Sequence, residues 1–98
     1  MVQTKWLKSA KTDLKEIYDF ISLDSKKYAR FQIEKIQRKT EILKTGNIVG
    51  KKVPEIEDEK IREIIEGNYR IIYRIVSIEE VHIILVHHGA KDLLARLK

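Results

Sequence analysis

Arg70, Arg74, His87 and His88 lie in two stretches dense in branched and aromatic residues, and Glu63 lies in a third. An arginine and a histidine on one concave face can hold a phosphate through the guanidinium fork and move a proton through the imidazole. Strands have to align them first. With Gly67-Asn68 as a two-residue hairpin turn, Glu66 pairs with Tyr69, Ile65 lies opposite Arg70, and Glu63 lies opposite Ile72. Arg70 and Arg74 are then the diagonal neighbours of Glu63 on one face, a register that an intervening bulge would break. Successive strand residues point to opposite faces, so one of His87 and His88 shares the face of Arg70 in either register of the next hairpin. The plainer alternative is that Arg70 is simply paired with Glu63, and that the histidine is a hydrogen-bonded residue at a strand end.

Other chemistry finds no support. The chain has no cysteine, so it offers neither a thiolate metal site nor a disulfide framework. His82, His87 and His88 make a poor ligand set, because two of them are strand neighbours pointing apart. A phosphate-binding glycine loop, an H-E-x-x-H helix and a G-x-S-x-G elbow are all missing from the sequence. Neither a metal nor a cofactor is expected. The four tyrosines and Trp6 read as core rather than as a base-stacking platform.

The elements that carry these residues follow from periodicity. Met1 to Trp6 can form an edge strand. Ser9 is a candidate N-cap for a helix to about Ser22, with Ala10, Leu14, Ile17, Tyr18 and Ile21 on one face. Asp24 or Ser25 caps a second helix carrying Ala29, Ile33, Ile36, Thr40 and Leu43, with Gly46 as its stop. The short join predicts an antiparallel helical hairpin. Asn47 to Glu59, with Gly50 and the only proline, reads as a loop. Strands are expected over Ile61 to Ile65, Tyr69 to Val76 and Val81 to His87, with Ser77 to Glu80 as a connection and a short helix from about Lys91 to Leu97.

The result is one α+β domain over 1–98: an N-terminal helical hairpin packed on a small antiparallel sheet, closed by a short C-terminal helix. Tyr69, Ile71, Tyr73 and Ile75 would face the helices. Arg70, Ile72, Arg74 and Val76 make the other face, too apolar for plain solvent, so a partner or the chain's own tail is expected to cover part of it.

Composition bounds the function. At 98 residues, 43% hydrophobic and 36% charged, the chain can bury a core and is not a disordered tract. Its apolar runs, such as Ile83 to Val86, are too short to span a bilayer, and no basic-then-apolar leader opens it, so a cytoplasmic protein away from membranes is expected. The net charge of +5 is uneven. Lys26, Lys27, Arg30, Lys35, Arg38, Lys39 and Lys44 stand against only Glu34 and Glu41, whereas Glu55, Glu57, Asp58, Glu59, Glu63 and Glu66 stand against Lys60 and Arg62. The basic segment is either a solvated helix face or a surface for nucleic acid or an acidic protein.

Three segments, in order, resemble the RelE/ParE toxin superfamily. They are Trp6, Ser9, Ala10, Asp13, Leu14 and Ile17; then Ile61-Arg62-Glu63 with Gly67-Asn68-Tyr69-Arg70-Ile71-Ile72-Tyr73-Arg74; then His88-Gly89-Ala90-Lys91-Asp92-Leu93 with Arg96-Leu97. The ending is most similar to the ParE branch. The resemblance implies the toxin of a type II toxin–antitoxin module, a plasmid-stabilisation protein, bound and neutralised by an antitoxin in a hetero-oligomer. ParE-like members inhibit DNA gyrase; RelE-like members cut messenger RNA on the ribosome. For the nuclease mode, Arg70 matches the superfamily's strand arginine, Arg62 and Lys91 stand near two further basic positions, and His87 or His88 would replace a C-terminal tyrosine. No tyrosine follows Tyr73. That departure favours a toxin that acts by binding over an endoribonuclease. Glu63, Arg70, Ile72, Arg74, His88, Lys91 and Arg96 are then the expected contact residues for target or antitoxin. A plain nucleic-acid-binding domain and a degenerate, non-toxic homologue are the remaining alternatives.

Overall fold

The computed structural model describes residues 1–46 and 49–97. Asn47 and Ile48, at the start of the segment read as a loop, lie outside the described residues. The order is β1 (Gln3–Trp6), α1 (Lys8–Ser22), α2 (Lys26–Lys39), a 3-10 turn (Thr40–Thr45), β2 (Lys51–Lys52), β3 (Ile61–Glu66), β4 (Tyr69–Ser77), β5 (Glu80–His88) and α3 (Leu93–Leu97). The sheet order is β1-β5-β4-β3-β2. This is the expected α+β plan with one change: β1 runs parallel to β5, from Gln3 opposite Glu80 to Trp6 opposite Ile83, so the sheet is mixed rather than antiparallel. The strand pairs β2/β3, β3/β4 and β4/β5 are antiparallel.

Local rules account for most element ends. Ser25 caps α2 by accepting from the Tyr28 amide at 3.0 Å. The α-helix stops at Lys39 and tightens into the 3-10 turn, which Gly46 ends at a φ of 83°. Ser9 is not the cap of α1. The helix starts earlier, with Leu7 in the cap position, and the Ser9 hydroxyl donates to the Ile84 carbonyl at 2.6 Å. The segment read as a loop contributes the short edge strand β2. Just before it, Gly50 donates its amide to the Tyr73 hydroxyl at 3.1 Å, and a Cβ there would stand 2.5 Å from that oxygen.

The helical hairpin packs on one sheet face. Ala10, Leu14, Ile36, Leu43, Ile64, Ile71, Tyr73, Val81, Ile83 and Val86 are buried there with Val2. A second, smaller cluster on the other face holds Val53, Ile61, Ile72 and Leu93, with Ile56 and Leu85 against it. Part of the half-apolar face is therefore covered by the chain's own tail and by the segment before β3, as the residue pattern required.

Candidate functional site

Two compensating irregularities between β4 and β5 set the faces. Ile72 pairs with Leu85 but Tyr73 pairs with Ile83, leaving Ile84 as an extra residue; Ile75 pairs with Val81 but Ser77 pairs with Glu80, leaving Val76 extra on the other strand. An unbroken ladder would turn Val81 and Ile83 away from the helices. The pair of bulges keeps both in the core and restores the register, so Arg70 lies opposite His87 and Tyr69 opposite His88. His87 is the histidine on the arginine's face.

Arg70 is not open to a phosphate. Its Nε and Nη2 donate to the two Glu63 carboxylate oxygens at 2.8 Å each, and its Nη1 and Nη2 donate to the two Glu55 oxygens at 2.7 Å each. Four of the five guanidinium N–H donors are thereby used. Glu63 is 3% exposed. The predicted diagonal pair exists, and Glu55 joins it from the segment between β2 and β3. Hydrogen bonds from Arg70 lower the Glu55 carboxyl to about 2, and the two carboxylates hold the guanidinium more firmly protonated still.

The histidines are also engaged. His87 is buried; its Nε2 lies 3.0 Å from the Lys91 carbonyl, so that nitrogen carries the proton, and its Nδ1 faces Arg96 Nη1 at 3.5 Å. His88 accepts from the Ala90 amide at Nδ1, 3.1 Å away, and meets Tyr69 edge-on with ring centroids 5.4 Å apart. Arg62 alternates onto the opposite face from Arg70, where it pairs with Tyr73 in the ladder, and its Nε donates to the Glu59 carbonyl at 2.9 Å. Arg74 reaches Asp58 at 3.6 Å. Lys91 offers its backbone to the site while its side chain stays exposed. Arg70 and His87 thus come together, while Arg62 and His88 stand apart from them.

A larger concavity lies between α1 and the end of β5. It is a groove of about 1240 Å³ whose apolar lining includes Ile17, Phe20, Ile21 and Tyr69, with Lys8 and Lys91 among its cations. Phe20 is 75% exposed. β1 ends at Trp6, opposite Ile83, so the next stretch of β5 has no strand on the edge away from β4. Helix α1 supplies the missing partners: the Leu7 amide bonds the Ile83 carbonyl at 3.0 Å, Ser9 bonds the Ile84 carbonyl, and the Asp13 Oδ2 accepts from the Val86 amide at 2.8 Å. The other Asp13 oxygen pairs with Arg96, which ties the C-terminal helix to α1.

The family profile described as "ParE toxin of type II toxin-antitoxin system, parDE" matches residues 4–93. The chain belongs to the ParE toxin family. Among solved structures it is similar to a chain titled "Chromosomal ParDE TA system from P. aeruginosa", with a TM-score of 0.72 and 21% identity over 90% of this chain and 96% of that one. That likeness bears on the fold alone. Among curated proteins nothing matches.

For this ParE family member, reasoning from the sequence missed Glu55 and the role of Asp13. Asp13 carried a signal: it falls between Ala10, Leu14 and Ile17 on the buried stripe of α1, where a carboxylate needs a partner. Glu55 carried none, being one acid in an acidic run. Among the described residues no group of three histidine, aspartate or glutamate side chains is placed to hold a metal, and no helix is long and apolar enough to cross a membrane.

Proposed function

We propose that this ParE family toxin acts by occupying a target rather than by cutting RNA, that DNA gyrase is the target, and that a cognate antitoxin neutralises it in the cytoplasm. The engaged state of Arg70 carries the reading. A nuclease needs donors free to meet a scissile phosphate and a group free to move its proton. Here Glu55 and Glu63 take up the guanidinium, and both ring nitrogens of His87 face partners in the chain. The missing tyrosine after Tyr73 points the same way. The groove beside α1, with its exposed Phe20, suits an amphipathic antitoxin segment, and His88, Lys91 and Arg96 lie on its rim.

The test is supercoiling of relaxed plasmid by purified gyrase, titrated with the folded chain, alongside a translation reaction probed for message cleavage. Loss of supercoiling with intact message is expected, and the antitoxin should restore supercoiling when added first. Normal supercoiling at a large excess of chain, or cleavage of ribosome-bound message, overturns the reading.

A further inference from the structure

The charge excess lies away from both sites. Of the seven cations between Lys26 and Lys44, Lys35 sits 3.6 Å from Glu66 and Lys44 sits 2.9 Å from Glu41. Lys26, Lys27, Arg30, Arg38 and Lys39 are exposed, and among the described residues none has an acid within ion-pairing distance. Glu34 lies four residues from both Arg30 and Arg38 yet pairs with neither. Arg38 and Lys39 suit the last turn, where the helix dipole favours cations, but the others gain nothing from it. Lys26 and Lys27 occupy the first turn, which holds no acid and where the helix dipole disfavours cations.

Lys27, Arg30, Phe31, Glu34 and Arg38 recur at three- and four-residue steps, so they form one stripe, about 16 Å long at 1.5 Å per residue. Two aromatic rings lie open in or beside it: Phe31 is 50% exposed and Tyr28 54%. Their centroids are 6.3 Å apart, and the Lys35 ammonium stands 5.4 Å from the Phe31 centroid. No α2 residue lines the groove described above.

We infer that the outer face of α2 binds single-stranded nucleic acid, with Lys27, Arg30 and Arg38 on backbone phosphates and Phe31 and Tyr28 against unpaired bases. An acidic protein segment would satisfy the cations but set charged side chains against the rings. A single strand supplies both needs, because each nucleotide brings a charge and a flat apolar face. The inference is independent of the gyrase reading.

Fluorescence anisotropy of the full chain with a labelled oligothymidylate tests it, with polyglutamate and a duplex of equal length as competitors. Three phosphate contacts predict a log–log salt slope of about −2 for a single strand. The K27E/R30E/R38E variant should bind at least about tenfold more weakly with a flattened slope, while K11E/K51E/K60E, of equal charge change, retains most of the affinity. F31A should lose about tenfold for the oligonucleotide. Circular dichroism confirms that each variant is folded. Equal losses in both triple variants, competition by polyglutamate or duplex as effective as by the single strand, or unchanged binding by F31A each overturn the proposal.

Discussion

Glu55 makes the Arg70 cluster sensitive to pH. Its carboxyl sits at about 2 in the folded chain, against an ordinary value of 4.5, mainly because Arg70 donates to it. A folded value below the unfolded one means that the stabilisation is complete above about pH 4.5 and is lost as the pH falls through 2. Denaturant midpoints should therefore drop across that window in the native sequence. In Glu55→Gln the drop over the same window should be shallower, from a lower starting stability at pH 7. An equally steep drop in the variant, measured by urea unfolding, would remove Glu55 as its source. Lysine at position 70 could not reproduce the contacts, since one ammonium lacks the fork that meets two carboxylates.

At the scale of elements, the exposed edge of β5 is closed by side chains of a helix rather than by another strand. Ordinarily such an edge invites pairing with a foreign chain. Asp13 is the decisive closure, because one carboxylate satisfies the Val86 amide and also holds Arg96. Asp13→Ala should destabilise the chain by about 1–3 kcal/mol by leaving that amide unsatisfied. Arg96→Ala should cost less, about 1 kcal/mol or below, since its side chain is 31% exposed. Hydrogen exchange separates the two: the Val86 amide should lose protection in Asp13→Ala and keep it in Arg96→Ala. Equal loss in both would show that Asp13 closes the edge only while Arg96 holds it in place.

Over the whole molecule, a main core under the helices is backed by a small second core that fastens the tail. Leu93 is 1% exposed and is the one buried residue of α3, seated in that second core. Leu93→Ala should cost about 2–5 kcal/mol if the whole fold feels the cavity. The clusters share no residue, however, so the expected response is local: faster tryptic cleavage after Lys91 with the sheet's circular dichroism retained. An unchanged rate of cleavage would mean that Arg96 alone holds the tail. The groove depends on the same anchor, because Asp92, Ala95 and Arg96 form one of its walls.

The helical hairpin, a cap at Asp24 or Ser25, the Gly67-Asn68 turn with Glu63 diagonal to Arg70, and the need to cover the half-apolar sheet face are all legible in the residue order. Each depends on residues a few positions apart, where periodicity, capping and turn chemistry act directly. The parallel pairing of β1 with β5, the two cancelling bulges between β4 and β5, and the use of Ser9 on a strand rather than its helix arise from long-range packing. Such packing also decides how available Arg70 is. An arginine on a strand looks the same in sequence whether it waits for a phosphate or is already held. Glu55, fifteen residues away, makes the difference, and its approach depends on how the segment before β3 folds back across the sheet.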